Sequence, residues 1–368
     1  MFQKLTMRDA CALMIIIQIS KMVIFGFPGD AGNDTWISIL LLLPPVLLLM
    51  LLYARLVRLM PGKGLYEMTE SALGRIPSII LTVLYVYYFL TLSGIVHGNY
   101  VEFVHLVSLY NTSFVIVCIA FFIICSFLAY SGSETLGKWA FAVMLFSLAV
   151  FAVMLYFSAP TIKPDNIMPV LDKEWSEIGR TSFLLFAQPF GEAVVLLCVI
   201  GDMEKKANPY KLFLTGGLIS IVIGLGVYFF VCAMLGQEGL HTAYFPAYKA
   251  ASIIHIGTVG TRVEALIAFA FLFQKITKAA ICLIAAVKGV ASIFKVSQYW
   301  KLVHTVGFMS VAFSTFIFHN IIEMFDFFDN IYPLYAPFFQ VIIPLVIWIA
   351  AEIKARRSPS FGAASKPA

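Results

Sequence analysis

Residues 188–192 (Gln-Pro-Phe-Gly-Glu) interrupt an apolar run, TSFLLFA before them and AVVLLCVIG after. Pro189 removes a backbone donor and pushes the residue before it out of helical angles. Gly191 tolerates non-helical angles. Glu192 is costly in lipid unless it faces a cavity or a partner. A carboxylate there accepts hydrogen bonds from a ligand amine, pairs with a buried cation, or carries a proton. Lys21, some dozen residues into the first apolar stretch, is the first such cation. From mid-span it cannot easily snorkel. It pairs with Glu192, meets a ligand carboxylate, or takes the place of a coupling cation. Lys275 and Lys278 share a helix face at i, i+3 in a later stretch, beside Gln274 and Thr277. Lys278 reads as close enough to the cytoplasmic end to snorkel. Lys275 is deeper and either lines a cavity or snorkels.

Other chemistries find no support. The six cysteines, Cys11, Cys118, Cys125, Cys198, Cys232 and Cys282, lie in apolar segments and form no CxxC or Cys/His cluster, so they read as packing residues. His97, Asn99 and Glu102 are too sparse for a metal site and read as a polar face turned into a bundle. There is no HExxH, nucleophile elbow or P-loop. The expectation is a protein that is not an enzyme and needs no metal or cofactor.

The elements that position these residues follow from composition. Of 368 residues, 61% are hydrophobic and 12% charged, where a soluble domain carries about a quarter charged. About 20 apolar residues cross a bilayer core, and ten segments qualify: 9–28, 36–56, 77–106, 112–131, 136–158, 179–201, 211–235, 262–286, 300–320 and 331–353. The expected architecture is an all-α integral membrane protein, one polytopic domain over 1–357, with a disordered cytoplasmic tail over 358–368. The N-terminus mimics a signal peptide but shows no small-x-small cleavage site, so it reads as a retained span. Pro44-Pro45 in span two and Pro333, Pro337 and Pro344 in span ten should bend their helices.

Three of the 25 basic residues lie within spans (Lys21, Lys275, Lys278). Of the other 22, five (Lys163, Lys173, Arg180, Lys249, Arg262) fall on one set of loops and span edges and 17 on the other. The positive-inside rule puts both termini in the cytoplasm. The net charge of +5 therefore reflects topology and does not point to nucleic acid. The exterior loops are acidic at Asp30 and Asp34, and at Glu323, Asp326 and Asp329. Residues 237–258 read as a short helix lying on the outer surface. Gly216, Ser220 and Gly224 make a small-residue packing stripe.

Spans one and six, each with polar residues at its centre, are expected mates in a 5+5 inverted-repeat transporter fold. Paired interrupted helices point to a midplane site. The candidate ligand-binding residues are Ser20, Lys21, Met22, Val23, Phe190, Gly191, Glu192 and Lys275.

Four segments carry a family resemblance in combination: IIIQIS…VIFGFPGDAGNDTW (15–36), RLMPGKGLYEMTESALGRIPS (58–78), QPFGEAVVLLCVIGDMEKKANPYK (188–211) and TRVEALIAFAFLFQ (261–274). Over roughly 5–353 the chain resembles the spore germination permeases. These are the B subunits of nutrient germinant receptors in endospore-forming bacteria, within the amino acid–polyamine–organocation superfamily. The resemblance implies ten spans in an inverted repeat, in the inner membrane of the spore. It implies a pocket between spans one, three, six and eight for a small nutrient germinant, often an amino acid. It also implies a complex with a membrane-embedded A subunit and a lipoprotein C subunit. The helix breaks map onto Ser20–Val23 and Phe190–Glu192. Many relatives carry small residues where this chain has Lys21 and Val23; a lysine there contacts the ligand's carboxylate, blocks the pocket or changes the ligand class. Three functions follow: a sensor that binds a germinant and signals to partner subunits, a proton-coupled amino acid or amine transporter, or a non-binding assembly scaffold.

Overall fold

The computed structural model describes residues 4–204, 206–254, 262–317 and 320–357. The tail expected to be disordered, 358–368, lies outside them. Among the described residues the chain is mostly helical, and each of the ten apolar segments contains helix. Among the described residues seven helical stretches are long and apolar enough to cross a membrane: Gly32–Leu59, Arg75–Val107, Gly132–Ser158, Trp175–Cys198, Pro209–Gln237, Glu264–Phe294 and Ile321–Arg357.

The first segment is split. Helix α1 (Met7–Ile19) starts on a Thr6 cap, whose hydroxyl accepts from the Asp9 amide. It ends at Ser20, and α2 (Met22–Phe25) resumes after Lys21. Span two divides at Leu42 into α3 (Thr35–Leu41) and α4 (Leu43–Leu59). Pro44 and Pro45 fall in the first turn of α4, where a missing N–H costs nothing. A short amphipathic helix, α5 (Leu65–Leu73), precedes the 33-residue α6 (Arg75–Val107). Helices α7 (Phe114–Tyr130), α8 (Gly132–Ser158) and α9 (Trp175–Leu185) follow.

Helix α10 (Pro209–Thr242) leads into α11 (Pro246–Ser252). The latter is the short helix expected on the surface, but it is packed inward. Its Ala247, Ala250 and Ala251 are buried, and it meets α2, α10 and α12 (Glu264–Phe294). An alanine face has too little bulk to hold a helix at the lipid surface, yet lets it approach its neighbours closely. Helix α13 (Val303–Phe316) completes the ninth segment.

The last stretch contains α14 (Ile321–Asp326), α15 (Tyr332–Pro337) and α16 (Ile343–Arg357), joined by π-helical turns at Phe327–Ile331 and Phe338–Ile342. Prolines cause the irregularity. Pro333 and Pro344 sit in first turns, and Pro337 lies where its ring displaces the preceding carbonyl and a wide turn follows. Glu323, Asp326 and Asp329, expected in an exterior loop, belong to this helical stretch, because the asparagine cap Asn320 starts the helix ahead of them.

Helix α12 is the hub, packed on α6, α7, α8, α13 and α1. The small-residue stripe of α10 receives Met14 against Gly216 and Met22 against Gly224. Both chain ends lie on one face: Leu5 bonds to the backbone of Asp202 and Glu204, and the Lys354 ammonium donates to the Ser71 carbonyl. We call this the terminal face.

Helices α6 and α13 approach closely at Gly94 of α6. A Cβ there would lie 2.8 Å from Phe313 Cβ and 3.1 Å from both the Ser310 oxygen and the Ser314 nitrogen of α13. Gly94→Ala should therefore destabilise the chain by about 1–3 kcal/mol. Gly179→Ala, with nothing within 4 Å, should be neutral or stabilise by up to about 1 kcal/mol. Thermal unfolding of both variants in detergent checks the contrast; equal behaviour would contradict the packing.

Candidate functional site

The break in span six forms as its residues dictate. Helix α9 stops at Leu185, and Gln188, just before Pro189, is extended at φ −141° and ψ 120°. A tight 3-10 segment, Gly191–Cys198, completes the span. Gly191 is required for a neighbour rather than for its own angles. A Cβ on it would collide with the Gln340 carboxamide, so a larger residue here must displace that side chain from the break. Gln340 Nε2 then donates to the Ala187 carbonyl at 2.9 Å and to the Tyr88 hydroxyl at 3.0 Å. On the other side, Gln18 Nε2 donates to the Phe190 carbonyl at 3.4 Å.

Glu192 is held by two partners. Its Oε2 forms an ion pair with Lys278 Nζ, and its Oε1 accepts from the Tyr332 hydroxyl at 2.9 Å. Tyr332 and Tyr88 share a further hydrogen bond at 3.1 Å. The two charged side chains are each only 4% exposed. The pairing corrects the expectation that Lys278 snorkels. Helix α12 runs to Phe294, well past the end read from the sequence, so Lys278 lies 16 residues, about 24 Å, from the helix end. A lysine cannot reach the interface from there, and a buried carboxylate supplies the charge it needs.

Lys21 does not pair with Glu192. Its ammonium donates to Gln188 Oε1 and lies 3.9 Å from the centre of the Phe328 ring, a cation–π distance. Gln188 Nε2 donates in turn to the Phe328 carbonyl at 3.2 Å. Lys275 is 1% exposed, with its ammonium 5.3 Å from the Phe25 ring centre and 5.0 Å from that of Phe271. Lys21, Lys275 and Lys278 all act electrostatically on one another's surroundings and on Glu192. Three lysines thus surround one carboxylate.

Of the eight residues read from the sequence, the fold gathers Lys21, Phe190, Gly191, Glu192 and Lys275. Ser20 Oγ is spent on the Ile17 carbonyl at 3.2 Å. Met22 packs against Gly224, and Val23 lines an apolar crevice with Phe151, Met154 and Ile223. Met22 and Val23 face away because α2 resumes at Met22 and turns them toward α8 and α10. Lys278, Tyr332, Gln340 and Tyr88 were not read as site residues.

A cavity of about 420 Å³ opens on the face opposite the termini, lined by Lys21, Phe25, Phe27, Tyr228, Tyr244, Phe325 and Asp329 among others. Lys21 is its deepest charged group, and Glu192 does not line it. A cavity of about 540 Å³ opens on the terminal face, lined by Tyr66, Cys198, Asp202, Lys288 and Tyr299 among others. There Lys288 Nζ lies 2.5 Å from Asp202 Oδ2, which also accepts from Ser133 Oγ at 2.6 Å. Burial, then the Asp202 charge, push the Tyr299 hydroxyl up to about 12, so it stays neutral at ordinary pH. The Glu192 cluster separates two vestibules.

Residues 4–323 match the family described as spore germination protein, a spore permease. The chain belongs to that family. It is 24% identical over 363 residues to spore germination protein KB of Bacillus subtilis (strain 168), covering 96% of each chain. It is 23% identical over 342 residues to the putative spore germination protein YfkT of the same organism, covering 92% of this chain and 91% of that one. Its fold is similar to that of Mhp1, a nucleobase-cation-symport-1 family transporter in a closed conformation with bromovinylhydantoin bound. The TM-score is 0.61 at 13% identity, over 99% of this chain and 95% of that one. The protein is a multi-pass membrane protein of a spore germination family, on a transporter-like fold.

Glu192→Gln should strand the Lys278 charge and cost about 3–5 kcal/mol. Adding Lys278→Met should restore most of that loss. Denaturant unfolding of the two singles and the double gives the coupling directly; additive losses would contradict a buried pair.

Proposed function

We propose that this chain is the membrane subunit of a spore nutrient germinant receptor. It binds a small germinant, an amino acid or similar molecule, and signals to a membrane-embedded A subunit and a lipoprotein C subunit. In this reading ten helices form a 5+5 inverted repeat in the inner membrane of the spore, with the terminal face cytoplasmic and the 420 Å³ vestibule turned outward.

One observation carries the proposal. The vestibule ends on Lys21, and Lys21 is hooked to the broken helix through Gln188. An anionic group arriving at Lys21 competes with a neutral amide for the ammonium, and a charge-assisted bond is roughly twice as strong. Ligand binding then releases Gln188 and unties the break from span one. The pocket thereby favours one of two conformations, which is what a receptor needs. Membership of a spore germination family supports the biological setting.

The transporter likeness and the vestibule on each face support a second reading, in which the Glu192 cluster alternates and solute passes. Two experiments decide. Spores carrying Lys21→Met as their only copy should lose the optical-density response to this receptor's germinant while keeping the assembled protein; a normal dose–response would reject the site. Proteoliposomes of the full chain should show no sustained, gradient-driven uptake of labelled amino acids; such uptake would establish the transporter reading instead.

A further inference from the structure

The outward vestibule contains a second charge. Asp329 lines the same cavity as Lys21, yet among the described residues the two form no ion pair, and the Asp329 carboxylate has no hydrogen-bond or ion-pair partner. The cations that act on it are Lys21 and Arg180. Both are engaged elsewhere: Lys21 with Gln188 and Phe328, Arg180 with Asp30 at 3.2 Å and Asn330 at 3.2 Å. Asp329 owes its position to the π turn Phe327–Ile331, which lies between α14 and α15.

Two opposite charges on one cavity attract. They stay apart because each is mounted on an irregular, well-held segment: Lys21 between α1 and α2, Asp329 in the turn of span ten. The space between them is walled by Phe25, Phe27, Tyr228, Tyr244 and Phe325, and Tyr244 and Phe325 stack at 6.1 Å. The volume, about 420 Å³, is in the range of small-ligand sites.

Resting on the receptor reading above, we propose that Asp329 and Lys21 hold opposite ends of one zwitterionic ligand. Lys21 takes its carboxylate, Asp329 takes its ammonium, and the aromatic walls take its side chain. A neutral polyol leaves both protein charges without a counter-charge, and a simple carboxylate leaves Asp329 unmatched. The site therefore discriminates by the penalty of stranded charge, which is larger than the gain from any added apolar contact.

The test uses the full chain in lipid nanodiscs, with thermal unfolding as the readout. The twenty standard amino acids are screened, together with D-glucose and myo-inositol. For the amino acid with the largest saturable shift, the matching des-amino acid and decarboxylated amine are then titrated. The expected result is that both truncated compounds bind about tenfold or more weakly. Asp329→Asn should weaken the amino acid by a similar factor yet leave the des-amino acid within about twofold. Lys21→Met should spare the amine instead. Should Asp329→Asn not fold, Asp329→Glu moves the carboxylate by one methylene and should give an intermediate loss. Equal binding of the amino acid and its des-amino analogue, or an unchanged affinity in Asp329→Asn, overturns the assignment. Stabilisation by glucose or inositol and by no amino acid overturns it too, but leaves the receptor reading standing. No stabilisation by any compound overturns both.

Discussion

The structure depends on one buried ion pair. Glu192 and Lys278 meet where neither can reach water, and such a pair persists only when its remaining hydrogen-bonding capacity is met. Tyr332 meets it on the carboxylate side. That requirement fixes span six against span eight and span ten at once. The helical breaks serve the same end. A continuous span six would turn Glu192 with the helix, whereas the extended Gln188 and the 3-10 segment after it aim the carboxylate into the bundle.

Span ten is the less obvious half of this arrangement. Its prolines and π turns bring Phe328, Tyr332 and Gln340 to one side of the break, and each bonds to it or to its partners. Gly191 leaves room for the Gln340 carboxamide, which a side chain there would displace. The break is therefore braced by polar contacts that are exchangeable. Hydrogen bonds in a low-dielectric interior are strong when satisfied and costly when broken, so a small displacement at Lys21 or Gln188 has a discrete effect on the cluster rather than a gradual one.

Much of this was legible in the chain. Proline, glycine and glutamate in five residues announce a broken helix, and a mid-span lysine announces a break or a partner. The identity of Glu192's partner was not legible. Two causes combined: α12 continues through Val287–Phe294 beyond the apolar core read from hydropathy, and Lys21 was the more conspicuous cation. The i, i+3 spacing of Lys275 and Lys278 was the available signal, since one of two lysines on a bundle-facing stripe needs a carboxylate. Tyr332 gave no local signal, whereas Gln340, a lone amide in the apolar run FFQVII, was one. Tyr332 lies beside Tyr335, which differs from it only in tertiary surroundings. Asp329 read as a loop acid because a π turn inside a helix has no sequence pattern of its own.

The account holds that the protein is open down to Lys21 and sealed at the Glu192–Lys278 pair. Cys282, one turn beyond Lys278 on α12 and buried, is a natural reporter of the seal. The direct measurement is the reaction rate of a small charged thiol reagent, added from the vestibule side, with two chains in nanodiscs. One retains Cys282 alone; the other lacks all native cysteines and carries Lys21→Cys. The account predicts fast labelling at position 21 and none at Cys282 until Glu192→Gln is introduced. Labelling of Cys282 in the intact chain at the rate of position 21, or an inert position 21, would contradict it.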